Sequence, residues 1–478
     1  MRTAMIMNID HLFNPRLCVV FALAMLSGCA SVHPDLGRSD VDSLLSERGQ
    51  SVETNTQTLL DTLTAAPLSS ESVVRISLMN NPRLQSTYAM LGFGAADVYE
   101  AGRIRNPIFI AAAERDQVTL GLVTSFTDLI TLRARKRLSS GAFAALKQSV
   151  GAEVMTVAAE AERAYYHYVG AQQVATLRAQ IAKVGALSAA LAERFRDAGN
   201  LTPRELALER ATASAARLAA LEADATAFEA RTELAAMLGL SVGDTWNAPA
   251  SLRLPLDTED DLNALLALAK DARLDLVAAR TRADVLADQL GVLNWTRWLG
   301  ERDVGLLGMP NAGKSTLITS MSRANTDLKI AINEVRETVI AVDNGVRLAH
   351  ASLDNARARI EEYRSRLIPQ RIEAVARAQE EVNFMLIGIF ELIALKQDEY
   401  DAYQGYLEAI RDYWLARVDL SLAAGMALPS SAHMPDERIH VDEFVRPASG
   451  GMDHFMHRMP TKESGNSNSD EHNHGGSQ

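Results

Sequence analysis

The sequence predicts a mainly α-helical protein with a small β part, built from duplicated long helical hairpins. Apolar residues spaced by threes and fours persist over about fifty residues from Phe143, far beyond a globular helix of three turns. A second rod-like stretch follows, and the order of elements recurs about 190 residues later. Composition agrees. Hydrophobic residues, at 47%, supply a substantial core, while aromatics stand at 5% and Ala is abundant, a balance that favours closely packed helices.

The 478 residues begin with a leader. Arg2 and Arg16 precede the apolar run Leu17 to Leu26, which is too short to span a bilayer but suits a signal peptide, residues 1–28. Leu26-Ser27-Gly28-Cys29 resembles a bacterial lipobox, which implies acylation at Cys29 as the mature N-terminus. Ala30 and Ser31 follow, and by the same resemblance the absence of Asp there points to the outer membrane of a Gram-negative bacterium. Cys18 is lost with the leader, so no disulfide framework and no Cys-based metal or catalytic site is available. The formal charge of −12 argues against a nucleic-acid or anionic-lipid partner, either of which needs a basic face.

Residues 29–70 are rich in Ser, Asp and Thr and read as a linker. Glu71 to Met79 is a short helix stopped by Asn80-Asn81-Pro82, and a second helix runs from about Leu84 to Gly102 before Asn106-Pro107. Ile108 to Ala113 and Gln117 to Phe126 have the β-branched or alternating character of strands. The first rod then carries Phe143, Val150, Val157 and Tyr168, continues through Ile181 to Phe195, and breaks at Ala198-Gly199-Asn200. The second runs from Pro203 to Leu238, with Thr202 as its cap. No later run of eighteen apolar residues exists, so any membrane crossing by the body must use strands.

The repeat pairs Arg83-Leu84 with Arg273-Leu274, Phe195-x3-Gly199 with Phe384-x3-Gly388, Leu206 with Leu395 and Met237 with Met426. It divides the body into residues 71–250 and 251–428. The element order, the Asn81-Pro82-Arg83-Leu84 stretch and the two Phe-x3-Gly turns resemble the TolC-like outer-membrane efflux family over about residues 70–428. That resemblance implies a homotrimer, with four strands per protomer given to a shared outer-membrane β-barrel and the rods forming an α-helical tunnel. It also implies a passive export duct rather than an enzyme, partnered by a periplasmic adaptor protein, an inner-membrane pump and outer-membrane lipid. Four strands cannot close a barrel, since about eight is the minimum, so assembly is a physical requirement of this reading.

One motif disagrees. Gly308 to Thr316 (GMPNAGKST) fits the P-loop pattern, and residues 303–331 resemble the first motif of an Obg-type GTPase. Gly308 and Gly313 would bring backbone amides to phosphates, Lys314 would reach the outer phosphates and Ser315 would bind magnesium. No D-x-x-G follows, and Leu395-Lys396-Gln397-Asp398 lacks the first residue of a guanine-reading motif. The repeat instead reads residues 302–308 and 314–321 as two strands around Pro310-Asn311-Ala312-Gly313, making 303–322 an anomalous version of the second strand pair. A P-loop nucleotide-binding protein and a lipid-anchored periplasmic coiled-coil scaffold are the alternatives to a channel.

Residues 429–478 read as a disordered tail. Met452, His454, Met456, His457 and Met459, with His472 and His474, combine thioether and imidazole donors that suit Cu(I) or another soft metal. No other cofactor is expected, and the cluster tilts the cargo towards metal ions, copper among them, alongside small toxic compounds. In the duct, Gly199 and Gly388 mark the turns that the resemblance assigns to the adaptor. Glu205, Glu209, Glu391 and Asp398 flank those turns and are the candidate gate carboxylates, because three copies of one carboxylate around a narrow end make a strong field.

Overall fold

The computed structural model describes residues 35–50, 67–103, 108–114, 117–123, 126–241, 243–290, 315–435 and 437–445. The first element, α1 (Arg38–Ser46), lies inside the expected linker. Its Val41 and Leu45, one turn apart, are fully buried against Leu84, Leu91 and Val150. That segment is therefore partly helical and docked onto the body.

A capping box starts α2 (Ser70–Asn80): the Ser72 amide donates to Ser69 Oγ at 3.1 Å and the Ser69 amide donates to Ser72 Oγ at 2.7 Å. Asn81 ends α2 and caps α3 (Pro82–Ala101), accepting from the Arg83 amide at 2.9 Å, with Pro82 in the first turn where its missing N–H costs nothing. Next come β1 (Ile108–Glu114) and β2 (Gln117–Val123), an antiparallel pair in register from Ile108↔Val123 to Glu114↔Gln117. Helix α4 (Phe126–Asp197) starts earlier than its clearest apolar spacing and takes in Phe126, expected to be strand. Its 72 residues make a rod of roughly 110 Å at 1.5 Å per residue. The antiparallel α5 (Pro203–Met237) returns along it.

The second half repeats this order with α6 (Leu262–Ala272), α7 (Leu274–Leu290), α8 (Ser315–Glu362), a π turn (Tyr363–Leu367), α9 (Ile368–Asn383) and α10 (Ile389–Ala424). The expected strand 314–321 is not one: from Ser315 onward the backbone is helical. No Gly or Pro separates Ser315 from the apolar positions Leu328, Ile332 and Val335, so the helix propagates back through the β-branched residues. The rest of that hairpin lies outside the described residues.

The duplication is visible in how each corner seals a rod end. Asn80 Nδ2 donates to the carbonyls of Leu238 and Gly239 at 2.9 and 3.1 Å, and Asn81 Nδ2 to that of Met237 at 3.1 Å, covering the end of α5. In the second half Arg273 Nη1 donates to the carbonyls of Leu422 and Ala423 at the end of α10, at 3.2 and 3.4 Å. Both rods end on a left-handed glycine, Gly239 (φ 66°) and Gly425 (φ 77°).

The main core lies midway along the rods, where most of the tyrosines collect. Tyr166 stacks on Trp414 with centroids 5.2 Å apart, and Tyr168 meets Trp246 edge-on at 5.3 Å. Residues 243–261 and 429–445 wrap this level. The C-terminal segment up to Val445 is thus no disordered tail: Ile439, Val441 and Phe444 are buried, and Phe444 stacks on Tyr403 at 4.3 Å. Its extended backbone pairs with residues 252–254, the Ile439 amide donating to the Leu252 carbonyl at 3.2 Å and the Leu254 amide to Glu437 at 3.0 Å, and the buried Gln173 bridges the two segments by donating to the Ile439 carbonyl at 2.9 Å and accepting from the Leu252 amide at 3.2 Å. A turn of 3₁₀ helix (Pro429–His433) and α11 (Asp442–Val445) complete it. No helix among the described residues is long and apolar enough to cross a membrane.

Candidate functional site

The rod tips are the first candidate. At the α4–α5 turn the Gly199 amide donates to the Arg196 carbonyl at 2.9 Å and the Asn200 amide to Phe195 at 2.8 Å, with Gly199 left-handed at φ 80°. Thr202 then starts α5 through a second capping box: its Oγ1 accepts from the Glu205 amide at 3.2 Å while Glu205 accepts from the Thr202 amide at 2.8 Å. The bonds from Thr202 hold the Glu205 carboxyl below its ordinary range.

The α9–α10 turn uses the same hydrogen bonds with different residues. The Met385 amide donates to Val382 at 2.9 Å and the Leu386 amide to Glu381 at 2.8 Å, so the left-handed position is Met385 (φ 59°), not Gly388. Gly388 instead caps α10 with extended backbone, the place Thr202 takes in the first tip. The two Phe-x3-Gly runs therefore match in sequence but are displaced in structure. Phe195 packs edge-on against Phe390 at 6.0 Å, whereas Phe384, Met385 and Leu386 project into solvent at 76%, 92% and 73% exposure.

Of the candidate gate carboxylates, Glu209 accepts from Ser188 Oγ at 2.8 Å and Asp398 pairs with Arg371 at 2.9 Å. Glu205 is occupied by its cap, and Glu391 stands exposed in the first turn of α10. Within one protomer these four are spread over two turns rather than gathered at one point. Ser315 is the first residue of α8, while Gly308, Gly313 and Lys314 lie outside the described residues. So do Cys29, Met452, His454, Met456, His457, Met459, His472 and His474. Among the described residues no group of three or more His, Cys, Asp or Glu is placed to hold a metal.

Sequence reasoning missed the most buried polar network. Arg417 on α10 pairs with Glu259, and the two side chains are only 4% and 7% exposed. Its Nη2 also donates to Ser430 and Ser431 at 2.7 and 3.1 Å, and Ser430 Oγ donates to Asp260 at 2.6 Å. Tyr413 Oη donates to Glu259 as well as accepting from the Leu256 amide at 3.0 Å. Glu162 of α4 meets this cluster through Tyr166 and Arg417, and burial pushes its carboxyl up to about 7 despite both of those contacts. The network ties the segments wrapping the rods to α4 and α10. Its signal was present: Arg417 lies on an apolar helix face between Trp414 and Val418, where an unpaired charge would be prohibitive.

No protein-family model and no curated protein matches the sequence. Solved structures do. The outer membrane protein VceC from Vibrio cholerae aligns with a TM-score of 0.60 at 17% identity, covering 75% of this chain and 96% of that one. The CmeC outer membrane channel of Campylobacter jejuni gives 0.58 at 14%, covering 79% and 90%. The MtrE outer membrane channel of Neisseria gonorrhoeae, in its open state, gives 0.58 at 15%, covering 75% and 89%. With its duplicated rods, sealed corners and strand hairpin, the chain has the fold of the TolC-like outer-membrane channels.

Proposed function

We propose that the protein is the outer-membrane channel component of a tripartite efflux system, a passive duct and not an enzyme. The observation that carries this reading is the duplicated rod hairpin with a strand pair at one end, in the fold of outer-membrane channels. A lone β1–β2 hairpin leaves both edges open, which lipid does not tolerate, and three copies of it give fewer strands than the roughly eight of the smallest barrel, so a shared trimeric barrel also needs a second strand pair from each protomer. Exposed apolar residues on the rods support the same assembly. Leu208, Leu218, Leu221 and Phe228 on α5, with Ile340 and Leu348 on α8, are large hydrophobics that a lone rod would leave in water.

In this reading Cys29 carries palmitate and anchors the chain, and the rods extend into the periplasm. The tips around Gly199 and Gly388 meet a periplasmic adaptor, and beyond it an inner-membrane pump drives transport. Glu391 is the best placed gate carboxylate, being exposed and near the tip. The Met and His residues of 452–474 would hold Cu(I) or a similar soft metal, which makes metal ions the preferred cargo over other small toxic compounds.

Labelling cells with radioactive palmitate and fractionating their membranes tests the address, and a soluble, unacylated protein would end the proposal. Planar-bilayer recording tests the duct. Unitary conductance steps are expected, and a flat trace from correctly inserted trimers would favour a scaffold. Deleting the gene should lower copper tolerance; unchanged tolerance removes copper from the cargo.

A further inference from the structure

Although the chain as a whole is acidic, one face is not. Between Asp128 and Glu153 helix α4 contains Arg133, Arg135, Lys136, Arg137 and Lys147 and no Asp or Glu, within a protein of net charge −12. Arg133, Lys136 and Arg137 are exposed and spaced i, i+3, i+4, which puts them on one side of the helix. A second element adds to them. Arg103 follows the end of α3, exposed, with its guanidinium 5.3 Å from the Tyr99 ring centroid. The two elements are adjacent: a Cβ on Gly102 would lie 4.0 Å from Lys136 Cδ.

Neutralisation is incomplete. Arg137 pairs with Asp288 at 3.0 Å, with both side chains more than half exposed, a contact worth little in water. Arg133 and Lys136 make no ion pair among the described residues. The carboxylates nearest Arg103 in sequence, Asp97 and Glu100, precede it on the side away from β1. Like charges at i, i+3 and i+4 repel, so an isolated helix gains nothing from this arrangement.

Position along the rod supplies the reason. α3 ends and α4 begins beside the strand pair, with β2 closing at Val123 and α4 opening at Phe126. At 1.5 Å per residue Arg133 stands only about 10 Å along the helix from its first residue. The headgroup layer is roughly 5–8 Å thick on each side of the hydrocarbon, and long cationic side chains reach back towards it. We propose that Arg103, Arg133, Lys136 and Arg137 form a docking surface for anionic phospholipid headgroups in the leaflet facing the rods. This rests on the channel reading, which places β1–β2 in the membrane. Three copies around a trimer would make a ring of the surface and fix how deep the barrel sits. Net charge alone argued against such a partner; segregation of charge along one helix reverses that argument locally.

The test uses full-length, acylated protein reconstituted in phosphatidylcholine vesicles carrying trace spin-labelled phosphatidylglycerol or spin-labelled phosphatidylcholine. Electron spin resonance reads the motionally restricted lipid. Phosphatidylglycerol should be preferred about two- to fourfold at low salt, with the preference vanishing near 0.5 M salt, about where the screening length has shrunk to a few ångströms. The double variant Arg133→Gln, Lys136→Gln should bring the preference close to one and leave the restricted phosphatidylcholine unchanged. Equal retention of both lipids by the natural protein, or an undiminished preference in the variant, overturns the proposal. So does loss of the preference to inorganic phosphate at constant ionic strength, which would mark a discrete phosphate site. Absence of restricted lipid with either label means that nothing inserted, and overturns the channel reading itself.

Discussion

Glu162→Gln should stabilise the protein above pH 7 and leave it unchanged near pH 4. Glu162 is half-buried on α4 beside the aromatic core, and burial raises its carboxyl from 4.5 to about 7. The Tyr166 hydroxyl and Arg417 pull the other way but do not prevail, because Arg417 is already engaged by Glu259, Ser430 and Ser431. Folding therefore takes up a proton between pH 4.5 and 7. The stability that goes with the protonated group is complete below 4.5, the unfolded value, and is lost as pH rises through the folded value near 7. At about 1.36 kcal/mol per unit the loss is roughly 3 kcal/mol, and about 2 after allowance for partial solvent access. Gln has the shape of the protonated acid and stays neutral, so it escapes the loss. Circular-dichroism melts of both proteins in detergent from about pH 4 to 8.5 would read it. The gap between natural protein and variant should open through the window and level off above it. Other titrating groups contribute equally to both proteins and cancel. A gap that is constant with pH, or that closes as pH rises, refutes the reasoning.

Three further substitutions probe the frame. Gly239→Ala should cost about 2–3 kcal/mol in thermal unfolding, because φ is +66° and the new Cβ would sit 2.5 Å from the Asn80 carbonyl oxygen. Arg417→Met strands the buried Glu259 and should cost about 3–5 kcal/mol, with Glu259→Gln in the same chain recovering part of it in a double-mutant cycle. Thr202→Ala removes one capping box and should cost about 1 kcal/mol, confined to the tip. Hydrogen exchange should quicken at Arg204 to Leu206 while the core around Trp414 is unaffected.

The rods were legible because Phe143, Val150, Val157 and Tyr168 repeat a single spacing over many turns, so no one residue decides the outcome. Short elements offer no such redundancy. In α1 the signal amounts to Val41 and Leu45 among Ser, Asp and Arg, and only docking on α4 makes it a helix. Ile439 and Val441 alternate with polar residues like any exposed strand, yet the partners of the Ile439 backbone are the Leu252 carbonyl and the Gln173 side chain, both far away in sequence. Segment 314–321 shows the opposite failure: the repeat suggested a strand, and the adjoining rod imposed its own state. At the tips the shared Phe-x3-Gly pattern was real in sequence, but a turn is defined by which residue goes left-handed. Met385 takes that role by context, not propensity.

The same limit applies to the duplication, which predicts two equal rods. The first is one unbroken helix of 72 residues; the second is α8, a π turn and α9. Pro369 accounts for the difference. Lacking an N–H and carrying a ring that crowds the preceding turn, it cannot sit in an ordinary helix interior without cost. One widened turn absorbs the misfit, with the Ile368 amide donating to the Tyr363 carbonyl five residues back. The widened turn needs room, and α10 provides it at Gly405. A Cβ there would come within 2.6 Å of Tyr363 Cζ, so no larger residue fits unless Tyr363 moves. Proline, π turn and glycine are thus one device spread over two helices, and removing the glycine should disturb the rod that contains the proline. Symmetry explains why there are two hairpins. The asymmetry between them comes from three residues that the repeat does not share, since the first half has Gln173 where 190 residues later Tyr363 stands.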